Sequence, residues 1–300
     1  MFLKKLIVHR AAFMVSSNKY LVNLLALLRK YVPKILIIFI ERIRVLPIYL
    51  GWLVDRKFGK KFLLKTISPL KNKFSGKRCI IIGNGPSLNK IDLQLLKNEY
   101  TFGLNRIYLL FEKIGFETTF LVSINRYVIK QFSSEMLKND CIKFFNYKYR
   151  SYVSSKNTVN FIPPTIHSTK DFDNIEKGFL AYSGSVTFLA IQIALYLGFS
   201  EIILVGFDNK FNNQGSSDKA IKSKKNDSDH FDPNYFGKGI IWQLPNYDSL
   251  DYGFKVVENY FKINKDRFIV NCTVGGELHN FKRAELASHL KLSSFSNKVS

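Results

Sequence analysis

The chain is poor in the residues that would tie it to a metal or a disulfide framework. It has three cysteines, Cys79, Cys141 and Cys272, odd in number and far apart. No C-x-x-C pair occurs, so reduced structural thiols of a cytoplasmic protein are expected rather than zinc or redox chemistry. Acidic residues are also scarce, 23 Asp and Glu against 45 Lys and Arg. No D-x-D step ends a strand-like run, which speaks against a dedicated divalent-cation site. Long apolar runs are missing as well. LVNLLALL (21–28) and ILIIFI (35–40) are interrupted by charges, and Val45–Val54 contains Pro47 and Gly51. A bilayer span needs roughly 18–20 apolar residues in a row, so no transmembrane helix is expected. The first apolar run is broken at His9-Arg10, which does not suit a cleavable leader. No internal repeat is present.

The excess charge is unevenly placed. Residues 1–77 carry 17 Lys and Arg against two acids, Glu41 and Asp55. Basic, apolar, aromatic-tipped helices of this kind suit the inner surface of an anionic membrane; they also suit packing on the core or on a second subunit. No nucleic-acid recognition motif accompanies the charge, so no nucleic-acid partner is expected. The segment 1–76 is therefore read as a basic amphipathic helical segment, peripheral to the inner membrane.

From Lys77 the pattern changes to short β-branched runs alternating with helical stretches. Strands are expected at Arg78–Gly83, Tyr100–Leu104, Thr119–Ile124, Ile142–Phe145, Thr158–Ile162, Glu201–Val205 and Arg267–Val270. Ser185–Leu197 is apolar almost all round and reads as a buried helix; Tyr247–Phe261 and Phe281–Leu290 read as amphipathic helices. Alternation of this kind predicts an α/β, Rossmann-like domain over 77–300, with a mostly parallel sheet covered by helices on both faces. The polar segment 209–246 lacks periodicity and is expected to be a lid or binding loop.

The first strand runs into Gly83-Asn84-Gly85-Pro86-Ser87-Leu88. Two glycines permit a tight turn and close approach, and Ser87 is placed to cap a helix starting near Leu88. The free amides and the helix dipole would then face an anion such as a phosphate. The third glycine of G-x-G-x-x-G is replaced by Leu88, and no G-K-[ST] follows, so the turn is neither a dinucleotide fingerprint nor a P-loop. Asn105 and Arg106 end another strand. Asn105 could bind a base or ribose and Arg106 a phosphate, or both could serve the turn. Asn125 follows a third strand with the same two readings.

IIIGNGPSLNKID, the LNR step at Asn105, YSGSVTFLAIQIALYLGFSEIILVGFD (182–208) and VNCTVGGELHNFKRAEL resemble the bacterial lipooligosaccharide sialyltransferases. They also resemble a broader group of hydroxymethylpterin pyrophosphokinase-like and flagellin glycosyltransferase-like proteins. The likeness covers about Lys77 to Leu290. It implies a CMP-linked donor around Gly83, Asn84, Gly85, Pro86 and Ser87, with Asn105 and Asn125 near nucleotide or sugar. It further implies Ser183 and Gly184 on the donor, and Gly206 and Asp208 lining the pocket. The two tyrosines that hold the leaving phosphate in sialyltransferases have no counterpart in 208–218; Lys210 and Tyr235 are the available substitutes. The family's Gly-His step stands here as Gly237-Lys238. His230 is thus the expected general base, oriented by Asp229 or Asp232, with Lys238, Lys210 or Arg106 meeting the leaving phosphate.

The resulting expectation is a glycosyltransferase that moves a sialic-acid-like sugar or Kdo from CMP to a cell-surface glycan or glycolipid acceptor, with no cofactor. The rival readings are a Mg-ATP-dependent pyrophosphokinase, in which Mg²⁺ would enter, and a non-catalytic nucleotide-binding scaffold. Oligomerisation is compatible with all three.

Overall fold

The run Arg78-Cys-Ile-Ile-Ile is buried on both faces, as a β-branched strand in the middle of a sheet must be. In the computed structural model, which describes residues 34–58, 67–154, 158–164, 167–168, 175, 179–180, 185–210 and 219–296, this run is strand β1 (Arg78–Ile82). It pairs in parallel with β2 (Thr101–Leu104) on one side and β8 (Glu201–Val205) on the other. The series continues outward through β3 (Phe120–Ser123), β4 (Ile142–Asn146) and β5 (Val159–Ile162) on the β2 side. On the β8 side lie β11 (Phe268–Asn271) and the two-residue β12 (Lys282–Arg283). The order is β12-β11-β8-β1-β2-β3-β4-β5, and every pairing is parallel. The Rossmann-like α/β fold expected from the strand–helix alternation is the fold observed. Two short pairs stand apart: β6 (His167–Ser168) with β7 (Phe179–Leu180), and the antiparallel β9 (Ala220–Lys222) with β10 (Ile241–Gln243).

Alternation along β1 divides the core. Cys79 and Ile81 face one hydrophobic layer, Ile80 and Ile82 the other. The first layer is filled by α4 (Val186–Tyr196), whose lack of a polar face is explained by burial of nearly every side chain, together with Phe254 and Val257 of α5 (Tyr247–Ile263). Phe74, Phe102, Phe120 and Phe199 meet there, with Phe74 and Phe199 stacked at 5.0 Å and Phe102 and Phe120 at 4.4 Å. The second layer is covered by α3 (Arg126–Leu137), α6 (Leu286–Ser296), a set of single-turn helices and the helix α1 (Lys34–Phe58). The remaining short helix, α2 (Phe111–Ile114), ends at Gly115 in the left-handed region, φ 72°.

Helix α1 is docked on the domain through Ile48 and Trp52, both in the second layer, and through the buried Asp55. Asp55 accepts a 2.6 Å hydrogen bond from the Tyr147 hydroxyl and lies 3.8 Å from the Arg150 guanidinium. This part of the basic segment packs on the α/β core; residues 1–33 lie outside the described residues. Among the described residues no helix is long and apolar enough to cross a membrane.

The helix expected at Phe281–Leu290 is divided. Lys282 and Arg283 pair with Val270 and Asn271 as an edge strand. The helix begins only after Glu285, whose carboxylate accepts from the amides of Ala287 (2.9 Å) and Ser288 (2.7 Å) and so caps it. All three cysteines are free and buried. Burial raises the thiol of Cys141 to about 11 and that of Cys272 to about 11, which keeps both protonated and unreactive.

Candidate active site

Strands β1 and β8 are neighbours, yet the chain leaves β1 toward β2 and leaves β8 toward β11. In an open parallel sheet, ligands bind in the crevice beyond the strand carboxyl ends at such a switch point. Gly83-Asn84-Gly85-Pro86-Ser87 follows β1 there, and Gly206-Phe207-Asp208 follows β8. The two ends are laced together: the Gly83 amide donates to Val205 O at 2.8 Å and the Gly85 amide to Gly206 O at 2.9 Å. A Cβ on Gly83 would stand 2.3 Å from Gly206 O, and one on Gly85 would stand 1.8 Å from Asp208 Oδ2. The glycines are thus required by the approach of one strand end to the other.

The anion at the turn belongs to the protein. Asp208 accepts 3.3 Å bonds from the Ser87 amide and a 2.6 Å bond from the Ser87 hydroxyl. Ser87 therefore does not cap the turn at Leu88. It lies inside a single helical turn, Pro86–Lys90, and ties that turn to β8. The position expected to meet a ligand phosphate is filled by the Asp208 carboxylate, because β8 ends within reach of it. Asn84 is placed differently: its Oδ1 is buried and has no hydrogen-bond partner among the described residues, a costly arrangement unless a ligand supplies a donor.

Asn84 lines a cavity of about 180 Å³. Gly83, Gly85, Asn105, Gly206, Asp208, Lys210, Asp229, His230 and Tyr235 share it, so ten residues singled out in the sequence come together. Ser183 and Gly184 lie outside the described residues, but the next turn of chain is present: Ser185 and Thr187 line the cavity at the start of α4, where the Ser185 hydroxyl accepts from the Thr187 amide at 3.2 Å. Asn105 holds its turn at φ 52°, and its Oδ1 accepts from the Ser123 hydroxyl at 3.1 Å. Lys210 reaches Glu277 at 3.7 Å with both side chains well exposed.

Three expected ligand contacts do not line the cavity. The Arg106 guanidinium is buried over the Phe132 ring, 3.8 Å from its centroid, and donates to the carbonyls of Asn234 (2.9 Å) and Tyr235. Asn125 caps α3, accepting from the amides of Tyr127 and Val128, and donates to Gln243. Lys238 is exposed in the turn before β10 and does not line the cavity. Arg106 and Asn125, read as ligand contacts, thus do local structural work, and Lys238 points to solvent.

The loop 227–236 is docked rather than loose. The Phe231 amide donates to Asn84 O at 2.9 Å, and the Asn89 side chain donates to Phe231 O at 2.8 Å. Phe231, Tyr235 and Phe236 join the second hydrophobic layer. His230 is stacked on Tyr235 (centroids 4.1 Å, planes 7° apart) and meets the edge of Phe236 at 5.0 Å. Its Nδ1 lies 2.8 Å from Asp227 Oδ2. The carboxylate that orients His230 is therefore Asp227, and neither Asp229 nor Asp232. Asp232 instead accepts from the Asn234 amide, and the buried Asp229 donates its own amide to Asp227. Burial pushes the Asp227 carboxyl upward, but the His230 bond and charge and the amides of Asp229 and Phe236 outweigh it and hold the group below its usual range. Burial also pushes the Tyr235 phenol well up, so it stays protonated. An Asp three residues before the His was the available sequence signal for this pair. Ser185, Thr187, Phe207 and Phe254 also line the cavity and carried no such signal. Among the described residues no group of three or more His, Cys, Asp or Glu is arranged to hold a metal ion.

No curated protein sequence matches the chain. Among solved structures, the MAf glycosyltransferase from Magnetospirillum magneticum AMB-1 aligns with a TM-score of 0.47 at 16% identity. That alignment covers 75% of this chain and 38% of the other, so the chain spans well under half of that neighbour. A short chain dehydrogenase/reductase from Saccharomyces cerevisiae aligns with a TM-score of 0.27 at 14% identity, covering 74% of this chain and 84% of that one. A family model described as 6-hydroxymethylpterin diphosphokinase MptE-like matches residues 58–214, which hold β1 through β8 and the glycine turn. On that match, over more than half of its length, this chain belongs to the MptE-like family.

Proposed function

We propose that this chain is a glycosyltransferase that binds a nucleotide-linked sugar at the β1–β8 switch point, with a CMP-linked sialic-acid-like sugar or Kdo as donor and a cell-surface glycan or glycolipid as acceptor. The observation that carries the reading is one cavity that unites the Asn84 oxygen, the start of α4 and His230, whose Nδ1 is held by Asp227 from behind. Asn84 accepts from the nucleotide. The α4 N-terminus and Lys210 meet its phosphate. With Nδ1 held by Asp227, Nε2 of His230 is the nitrogen that takes the acceptor hydroxyl proton, and Asp227 stabilises the imidazolium formed. The described cavity is smaller than the roughly 300–1,000 Å³ of most ligand pockets, so the docked loop gives way as the donor enters and excludes water behind it.

The family's description favours a second reading, diphosphate transfer from Mg-ATP. Thermal melts with CMP, CDP, UDP, GDP and ATP, each with and without Mg²⁺, separate the two. CMP without metal is expected to stabilise the fold, by about 2.7 kcal/mol at a concentration a hundred times its Kd. Stabilisation by ATP alone, and only with Mg²⁺, would replace the glycosyltransfer reading with the diphosphokinase one.

The acceptor class agrees with a seat on the cytoplasmic face of the inner membrane. Helix α1 docks through Ile48, Trp52 and Asp55 and turns Ile43, Leu46, Leu50 and Val54 outward, an exposed apolar stripe within the strongly basic segment. In flotation with phosphatidylglycerol vesicles the full chain is expected to float, and Leu46→Glu with Leu50→Glu to release it. Equal flotation of both proteins would refute this membrane seat.

A further inference from the structure

A second cavity, of about 450 Å³, lies on the other side of the His230 loop. Its lining includes Lys222, Lys224 and Lys225 together with Asp227, Phe236 and Trp242. The three lysines are exposed, and among the described residues none of them makes an ion pair. Asp227, held by His230 and the amides of Asp229 and Phe236, sets one negative charge against these three positive ones. The cleft is therefore electropositive. Its apolar wall is firm: Phe236 and Trp242 stack at 4.9 Å with planes 13° apart, and the Trp242 indole donates to the Ser223 hydroxyl at 2.9 Å. The lysines are carried by the end of β9 and the start of its connection to β10, braced by the Ser223 amide on Ile240 O and the Gly239 amide on Ser223 O.

The two cavities share one wall. Phe236 lines both; His230 lines the first, and its partner Asp227 lines the second. Group transfer needs the acceptor hydroxyl within about 3–3.5 Å of the donor carbon, with the base beside that hydroxyl. We propose that the Lys222–Lys224–Lys225 cleft is the acceptor subsite and takes a sugar bearing a phosphate or carboxylate. The lysines hold the charge, and once the His230 loop gives way to the donor the reacting hydroxyl reaches Nε2 of His230. The assignment of this cleft as an acceptor subsite rests on the glycosyltransfer reading; its preference for anionic sugars does not.

The chain has two tryptophans, and Trp242 lines this cleft while Trp52 lies in the core under α1. Tryptophan emission of the full chain is titrated with glucose 6-phosphate, glucuronate and glucose. At least one anionic sugar is expected to give a saturable change that added salt weakens, with glucose giving none. Trp242→Phe should remove the signal. Replacing Lys222, Lys224 and Lys225 together by Ala should weaken binding about tenfold or more, while the melting temperature and its rise with CMP stay unchanged. No response to either anionic sugar, an equal response to glucose, or unchanged affinity in the triple variant would each overturn the cleft. Sugar binding without any stabilisation by CMP would overturn the donor reading and leave the anionic cleft standing.

Discussion

Replacing His230 by Ala is expected to lower sugar transfer by about 10²–10⁴-fold, the usual contribution of a positioned general base. Asp227→Asn should cause a loss of similar order by a different route. An amide can accept from Nδ1–H but cannot stabilise the imidazolium, so the charge that forms during transfer is left uncompensated. The two losses should be far from additive, because the residues act as one unit. Nucleotide binding, read by thermal shift, should survive in both variants. Retention of full activity in His230→Ala would remove this residue from the chemistry. The pair also predicts an acid limb of stability. The folded-state pKa of Asp227 is depressed below the ordinary aspartate range, so its contribution is complete above that range and is lost as pH falls through the lower folded value. Melts between about pH 7 and about pH 2 should therefore show a shallower acid limb in Asp227→Asn than in the wild type. Equal limbs would mean that Asp227 is not held by His230.

Gly83→Ala is expected to be the most damaging single methyl in the protein. Its Cβ would lie 2.3 Å from Gly206 O and 2.8 Å from Gly206 C, both backbone atoms at the end of a central strand. No rotamer relieves that contact. β1 and β8 would have to separate where the Gly83 and Gly85 amides bond Val205 and Gly206. A cost of about 3 kcal/mol or more is expected, at the upper end for overpacking. Gly115 provides the control. It lies at φ 72° with nothing within 4 Å of an added Cβ, so Gly115→Ala meets only backbone strain, about 1–2 kcal/mol. Urea unfolding of the two variants measures the difference directly. A Gly83→Ala midpoint equal to that of the wild type would show that the strand ends are not as close as described. Gly85→Ala should be intermediate, since its worst clash is with the Asp208 side chain, which can swing away and release Ser87, and its contact with backbone Gly206 O, at 2.9 Å, is milder than that of Gly83.

The two variants mark the boundary between what was legible in the chain and what was not. Runs such as RCIII, TFGL and EIILV announce buried parallel strands because a strand covered on both faces has no polar side to show. Ser185–Leu197 announces a buried helix for the same reason. The glycine turn is visible too, but one reason for its glycines is not: Gly83 and Gly85 also admit a neighbouring strand end, and the anion at Ser87 is Asp208, 121 residues away. Local sequence cannot reveal a partner that arrives from a distant strand end.

Polar residues in irregular segments were the least legible, because one side chain can bind a ligand, cap a helix or pin a loop with the same atoms. Asn125 caps α3 and Arg106 anchors the 234–235 carbonyls, although both stand where a ligand contact was reasonable. Segment 209–246 showed its lack of periodicity, yet not that its Phe231, Tyr235, Phe236 and Trp242 enter the core. Aromatic residues scattered through polar sequence have no period, and only the sheet beneath them decides which are buried. The sequence alone determined the mostly parallel α/β sheet and its buried strands and helix, because these follow from the periodicity of burial. Tertiary structure decided that the glycines serve β8, that Asp208 occupies the turn, and that Asp227 orients His230, because each depends on which distant atoms the folded sheet brings within hydrogen-bonding reach.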